Sequence, residues 1–190
     1  DTDGDGANDG DEIAAESDPG NKWSWPASQT GWPDYSEGAP TGTGYNIGDI
    51  MPDLAGTDQF GNTVTLSQFN GAVVLLDFSA GWCGPCRVIA ENAEALYQSH
   101  KEEGFVIFHA MIDDYTYGDG ITDPSFLDTW SGEYDITFPV MQPTGNAALQ
   151  GFYNAGLFTN SIPFMALLDR DRTVVGGYTG ANAEAEVEAE

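Results

Sequence analysis

The two cysteines are the residues of this chain whose type and spacing best suit chemistry. They occur in the run Trp82, Cys83, Gly84, Pro85, Cys86, and the chain has no other cysteine. A thiol at the start of a helix meets unpaired backbone N–H groups and the positive end of the helix dipole, which stabilise the thiolate. A second thiol one turn later can attack a mixed disulfide formed on the first. We therefore predict a redox dithiol with Cys83 as the nucleophile and Cys86 as the resolving thiol.

Two other interpretations of this cysteine pair stay open. A purely structural disulfide would close so short a loop that it constrains little of the unfolded chain. A zinc site would need His100 and His109 as further ligands, but the spacing C-x2-C-x13-H-x8-H fits no usual zinc finger. His109 lies inside an apolar run, and we interpret it as a residue of the core.

The dithiol falls between an apolar strand and a helix. Residues 73–78 and 105–112 are apolar without alternation, which is typical of strands buried on both faces. Between these two runs, apolar residues recur at helical spacing, which predicts a helix after the cysteine pair. Further patterns predict strands at 138–141, 164–169 and 173–178, and helices near 123–130, 146–154 and 181–190. The order β-α-β-α-β-α-β-β-α predicts an α/β sandwich with a mixed sheet.

Composition limits the partners and divides the chain. The 190 residues include 31 acidic and 5 basic side chains, a net charge of −26 that argues against binding nucleic acid or an anionic membrane surface. No run of about 18 apolar residues predicts a membrane span. We predict an acidic segment at 1–20, a Gly/Pro/Trp-rich linker at 21–46 and one folded domain at 47–190. The chain opens at Asp1 without a methionine, so we interpret it as a processed piece, and a membrane tether upstream of Asp1 stays open.

The acidic segment has the ligand pattern of a calcium loop. Its residues fit D-x-D-x-D-G-x5-E at every position, with the turn at Gly6 and predicted ligands at Asp1, Asp3, Asp5, the carbonyl of Ala7, Asp9 and Glu12. The stretch resembles one bacterial thrombospondin type 3-like repeat through its DGDEIAAESDP run. We expect a structural Ca²⁺ there, with a solvated acidic tail as the alternative.

The motif in its context resembles a known family. SAGWCGPCR after VVLLDF is similar to thioredoxin, and residues 47–180 resemble the extracytoplasmic thioredoxins of the TlpA/ResA kind within the redoxin (AhpC/TSA) superfamily. The lead-in IGDIMPDLAGTDQFGNTVTLSQFNG is similar to that family's opening, although Leu54 replaces its common aromatic residue. The resemblance implies a thioredoxin-like three-layer α/β/α sandwich with an N-terminal extension and a central helix–strand insertion between Asp113 and Pro163.

The resemblance also assigns roles to single residues. It implies that Asp77, six residues before Cys83, exchanges a proton with Cys86; an aspartate in an apolar strand is expected to be buried, which suits that task. It implies a cis peptide bond before Pro163, leaving the Ile162 backbone to pair with a substrate strand. The alternatives are a carboxylate that reaches the sheet edge and an ordinary trans proline.

Three residues of the motif itself complete the predicted substrate surface. Trp82 would form the apolar lip on which a partner docks, and Gly84 and Pro85 would border the reactive sulfur.

We therefore expect an extracytoplasmic thiol–disulfide oxidoreductase that needs no catalytic cofactor and acts as a reductase. Its predicted partners are a disulfide-containing protein substrate and an upstream electron-donor thiol protein. A thiol peroxidase of the same superfamily is one alternative, although the motif lacks the P-x-x-x-T-x-x frame of peroxiredoxins. A calcium-stabilised surface module that only binds partners is the other.

Overall fold

A seven-stranded mixed sheet forms the centre of the protein in a computed structural model that describes residues 1–25, 31–123 and 125–180. The strands are β1 (Ala55–Asp58), β2 (Thr63–Thr65), β3 (Val73–Ala80), β4 (Phe105–Asp113), β5 (Val140–Pro143), β6 (Phe164–Leu168) and β7 (Val174–Thr179). The helices are α1 (Asp9–Ala14), α2 (Gly84–His100), α3 (Phe126–Glu133) and α4 (Ala147–Asn154). The order from β3 to β7 confirms the predicted alternation. The predicted helix at 181–190 lies outside the described residues, as do linker residues 26–30.

The strand order is β2-β1-β5-β4-β3-β6-β7, so β3 lies inside the sheet. It pairs in parallel with β4 and antiparallel with β6. Both runs read as buried strands are buried along nearly their whole length. The sequence did not predict the hairpin of β1 and β2, because these strands are only 4 and 3 residues long.

Aromatic contacts show which helices cover each face of the sheet. Phe78 of β3 packs against Phe152 of α4, with ring centroids 6.4 Å apart. On the other face, His109 of β4 packs against Trp130 of α3 at 5.8 Å. The His109 ring also stacks on Phe138, which packs against Tyr97 of α2. The helices α2 and α3 therefore cover one face and α4 the other, which confirms the three-layer sandwich.

The predicted central insertion consists of α3 and β5. The strand β5 pairs in parallel with β4 and antiparallel with β1. It thereby joins the β1–β2 hairpin to the rest of the sheet.

Tryptophans hold the N-terminal linker against this domain. Trp25 is buried and packs against Phe69, and the Trp32 indole Nε1–H donates to Asp58 Oδ2 at 2.8 Å. Trp23 packs against Tyr35 with ring centroids 5.1 Å apart. Among the described residues, no helix combines the length and apolar character needed to cross a membrane.

Candidate active site

The two cysteines form a disulfide at the junction of β3 and α2. Cys83 is the N-cap of α2, and its Cα lies 5.3 Å from that of Cys86 in the first helical turn. The backbone N–H of Cys86 points at the Cys83 sulfur over 3.3 Å. Pro85 lies in the first turn, where a missing N–H costs no helical hydrogen bond. The helix terminus therefore supplies the N–H that would stabilise a Cys83 thiolate.

The two sulfurs differ in access. Cys83 retains 4% of its surface, whereas Cys86 is fully buried. The neighbouring Gly84 and Pro85 are exposed, so the approach to Cys83 is open on that side. This asymmetry agrees with the predicted roles, because an entering disulfide can reach Cys83 before Cys86.

The loop before β6 lies against Cys83. The Ile162–Pro163 peptide bond is cis, Pro163 is buried, and the Ile162 carbonyl oxygen lies 3.8 Å from the Cys83 sulfur. Ile162 also packs against the cluster formed by Ala80 and the two cysteines. The structure thus brings the predicted substrate-pairing residues to the reactive sulfur.

Trp82 is fixed by the last residue of β4 and the loop that follows it, which were not predicted to belong to the site. Its indole Nε1–H donates to Asp113 Oδ2 over 2.9 Å, and its ring packs edge-on against Tyr117 with centroids 4.8 Å apart. The Trp82 backbone N–H donates to the Asp114 carbonyl at 3.2 Å. An acid at the end of a buried parallel strand was the available signal, since such strand ends border functional sites in α/β folds.

Arg87 has a structural contact rather than a free charge beside the dithiol. Its guanidinium donates through Nε and Nη2 to the Gly81 carbonyl oxygen, at 2.9 and 2.6 Å. It also lies over the Tyr115 ring, 5.4 Å from the ring centre. Arg87 therefore holds the segment that leads into Cys83.

A polar cluster lies in the core, on the sheet face that α2 covers. Asp77 is buried on the sheet face that α2 covers, and the Ser79 hydroxyl donates to both of its carboxylate oxygens at 3.0 and 3.1 Å. Across the β3–β4 pairing, His109 Nε2 lies 3.4 Å from Asp77 Oδ2. Asp77 therefore does not reach the sheet edge, and its burial agrees with the predicted position of a proton acceptor.

A groove of about 520 Å³ opens beside the disulfide. Trp82, the chain neighbour of Cys83, lines it together with Tyr117, Ile162 and Tyr153 of α4. Most of this wall is apolar or aromatic, so the groove can accept an uncharged part of a substrate.

The acidic N-terminal segment forms a second candidate site. Carboxylate oxygens of Asp1, Asp3 and Asp5 lie within 4.8 Å of one another. Buried oxygens of Asp3, Asp5 and Glu12 have no hydrogen-bond partner among the described residues, and burial raises the pKa values of Asp5 and Glu12. Asp9 is oriented differently, because its carboxylate accepts hydrogen bonds from the backbone N–H and the hydroxyl of Thr2, each at 2.8 Å.

These residues fit a calcium ion at most of the predicted positions. Anionic oxygens that are buried without a donor are costly, and a divalent cation would compensate them. Gly6 has φ of 97°, so the chain makes the predicted sharp turn where glycine is favoured. Ala7 is buried within the same turn.

Comparison with known proteins agrees with this geometry. Residues 46–190 match the redoxin family. The thiol–disulfide oxidoreductase ResA of Oceanobacillus iheyensis is 34% identical over 118 residues, covering 59% of this chain and 56% of that protein. ResA of Bacillus cereus is 29% identical over 142 residues, 75% of each chain. A glutathione peroxidase-like peroxiredoxin of Schizosaccharomyces pombe is 33% identical over 89 residues, 47% of this chain and 56% of that protein.

A solved structure supports the fold. The thioredoxin domain of a thiol–disulfide oxidoreductase from Bacteroides vulgatus superposes with a TM-score of 0.59 at 21% identity, over 75% of this chain and 96% of that one. The chain therefore belongs to the redoxin family, its relatives include proteins named thiol–disulfide oxidoreductases, and its fold is that of a thioredoxin domain.

Proposed function

We propose that this protein is an extracytoplasmic thiol–disulfide oxidoreductase that reduces disulfides of protein substrates. The observation that carries the proposal is the Cys83–Cys86 disulfide at the start of α2, with the Ile162 carbonyl beside its more accessible sulfur. The Gly-Pro pair between the cysteines resembles that of reducing thioredoxins, which supports the reductive direction. The ResA relatives carry the name of the same enzyme class.

In the proposed reaction the reduced enzyme begins with a Cys83 thiolate. This thiolate attacks a substrate disulfide, so that a Cys83–substrate bond forms and one substrate sulfur leaves as a thiolate. The Cys86 thiol then gives its proton to Asp77 and attacks Cys83. The substrate's second sulfur leaves, and the enzyme disulfide forms. The substrate gains two electrons and the enzyme loses two, which an upstream thiol protein must return.

The surface around Cys83 would bind the substrate in an extended conformation. The Ile162 carbonyl is placed to accept a backbone N–H from a substrate strand. Trp82 is 36% exposed and presents an aromatic lip beside Gly84 and Pro85. This arrangement favours a flexible protein segment over a compact folded surface.

Insulin reduction with dithiothreitol as the donor tests the activity. We expect turnover by the wild type and none above background by Cys83→Ser. The Cys86→Ser variant should hold its partner as a stable mixed disulfide, and mass spectrometry of the trapped complex then identifies the substrate. Equal, negligible activity of wild type and Cys83→Ser would favour the binding module. Rapid peroxide consumption by Cys86→Ser would favour a peroxidase.

We also propose that the loop of residues 1–12 binds a structural calcium ion. Asp1, Asp3, Asp5 and Glu12 would supply carboxylate oxygens, with the Ala7 carbonyl and Asp9 as further ligands, Asp9 after release from its present contacts or through water. The acidic loop lies close enough to the linker that Asp5, Asp3 and Glu12 add to the effect of burial in raising the pKa of Tyr35. Bound calcium would therefore neutralise charge next to the tryptophan-anchored linker.

Calorimetric titration with calcium tests the loop. Glu12→Gln should abolish most of the binding heat, because Glu12 is buried with two unpartnered oxygens. Asp11→Asn is the matched control: it removes the same charge from the adjacent, exposed residue of α1. Absence of heat in the wild type would refute the site.

The extracytoplasmic location is part of the proposal. Disulfide chemistry suits an oxidising compartment, and extracellular calcium reaches the millimolar concentrations that weak loops need. A tether upstream of Asp1 would keep the enzyme at a membrane. Fractionation of the source cells with antibody against the domain tests the location, and recovery with cytoplasmic markers would contradict it.

A further inference from the structure

His109 is a buried imidazole whose ring lacks a hydrogen bond. The side chain is completely buried, and neither ring nitrogen has a hydrogen-bond partner among the described residues. Its Nε2 nevertheless lies 3.4 Å from Asp77 Oδ2, just beyond the usual hydrogen-bond length. An unsatisfied buried polar group is costly, so its presence calls for a reason.

Among the residues that the structure describes, the contacts of His109 include one ionisable partner for the ring. Trp130 of α3 and Phe138 before β5 pack against it, and neither side chain titrates. Behind them lie Tyr97 of α2 and Tyr134, whose pKa values are raised, mainly by burial, so both are neutral. On β3, Asp77 faces the ring directly.

The ring itself is neutral at physiological pH. Burial lowers the pKa of His109 to about 3. A neutral imidazole can donate through Nε2–H to a carboxylate. Ser79 already donates to the same carboxylate from the strand's next inward position. One neutral donor therefore bonds to Asp77 from β3, and a second group able to donate faces it from β4.

We propose that His109 is a positioning residue for the resolving step, in which it donates a hydrogen bond to Asp77 when that carboxylate is charged and ready to take the Cys86 proton. This inference rests on the proposed function, because it assumes that Asp77 is the proton acceptor. In the oxidised protein, where no proton is to be taken, the contact is the 3.4 Å approach seen here. In the reduced protein it closes to a hydrogen bond.

The chemical consequence follows from the cost of burying a charge. A carboxylate in the core is unfavourable unless donors satisfy it. With His109 and Ser79 donating, Asp77 stays ionised near neutral pH and can accept the proton when Cys86 attacks Cys83. Without the imidazole, Asp77 holds its own proton up to a higher pH, and the Cys86 attack slows.

Stopped-flow reaction of the reduced protein with dithiobis(nitrobenzoate) separates this claim from the proposed function. In the first phase Cys83 attacks the reagent, forming a mixed disulfide and releasing one nitrothiobenzoate. In the second phase Cys86 displaces the other nitrothiobenzoate and forms the protein disulfide. Absence of the first phase in the wild type would refute the proposed function. The second phase reports on His109.

We expect His109→Leu to leave the first phase unchanged and to move the pH midpoint of the second phase upward by about one unit, a fall in rate of roughly tenfold at neutral pH. His109→Gln, which retains a donor, should restore the midpoint. Phe138→Leu is the packing control, because it disturbs the ring's other face without removing a donor. An unchanged or lowered midpoint in His109→Leu, or an equal shift in Phe138→Leu, overturns the proposal.

A measurement on the wild type keeps the claim testable if the leucine variant does not fold. In nitrogen NMR spectra the His109 ring should remain neutral, and its Nε2 signal should shift on reduction of the disulfide as the hydrogen bond closes. A ring that gains a proton near neutral pH, or a signal insensitive to reduction, overturns the proposal.

Discussion

Replacing Asp113 by alanine should destabilise the protein and impair its reaction with protein substrates. The Asp113 Oδ2 atom accepts from the Trp82 indole at 2.9 Å and from the Gly118 backbone N–H at 2.6 Å. Hydrogen bonds to a charged acceptor contribute about 1.5–3 kcal/mol each, or about 3–6 kcal/mol for the two. Both donors lie in exposed residues that water can reach, and the variant no longer buries the unpartnered Oδ1 atom. After these offsets we expect a net loss of about 2 kcal/mol.

Urea unfolding of the oxidised protein measures that loss, with Asp119→Ala as the control. Asp119 is an exposed acid of the loop that follows β4, so its removal changes the charge equally without removing a side-chain hydrogen bond of Trp82. In a separate thermal unfolding experiment, we expect Asp113→Ala to lower the midpoint temperature by about 4–8 °C. A difference between the two variants below about 0.5 kcal/mol would show that the contacts carry no energy.

The functional part of this prediction compares two substrates. Trp82 is expected to bind protein partners, whereas a small disulfide needs only access to Cys83. Asp113→Ala should therefore slow insulin reduction several-fold and change the rate with dithiobis(nitrobenzoate) by less than about twofold. Equal losses on both substrates would refute the idea that Asp113 acts through the docking lip.

Three further predictions concern the chain entering the dithiol, the acidic loop and the linker. A Cβ on Gly81 would lie 2.9 Å from backbone atoms of the neighbouring loop, whereas one on Gly84 would meet nothing within 4 Å. Gly81→Ala should therefore lower the free energy of unfolding in urea by about 1–3 kcal/mol, and Gly84→Ala should not. Equal values for the two variants would contradict the steric argument. Burial raises the pKa values of Asp5 and Glu12 above those of the unfolded chain, so their contribution favours folding at low pH and is lost as pH rises through the folded pKa values. With a chelator present, acidification from neutral pH towards pH ~5 should therefore reduce the difference in stability between the wild type and the Glu12→Gln variant. A stability difference independent of pH would oppose this. Trp25 is 6% exposed, so Trp25→Ala should lower the melting temperature in calorimetry through a loss of about 3–5 kcal/mol, and an unchanged temperature would mean that the linker does not contribute to the fold.

Local signals in the sequence were sufficient for most of the sheet. The runs that became β3 and β4 are apolar without alternation, and burial on both faces leaves little other choice. The hairpin of β1 and β2 has no such signal, because its short strands are stabilised by pairing with each other and with β5. Tertiary pairing, rather than local preference, decides strands of this kind.

The site divides in the same way. The thiol pair and its place before a helix follow from adjacent residues, so the sequence was enough to predict them. Asp113, Tyr117 and Arg87 contribute through contacts across the fold, such as the Arg87 guanidinium that holds the Gly81 carbonyl. No pattern of neighbouring residues predicts such contacts.

By itself the sequence determined the dithiol, the alternation of strands and helices, and the acidic ligand pattern, because each depends on residues that are neighbours along the chain. Only the tertiary structure decided that His109, interpreted as a residue of the core, faces Asp77 across two strands. The place of Ile162 beside Cys83 was expected from the family resemblance, and no pattern of neighbouring residues predicts it. Those juxtapositions join positions 32 and 79 residues apart. Strand register and the path of the loop before β6 set them, and no local pattern encodes either.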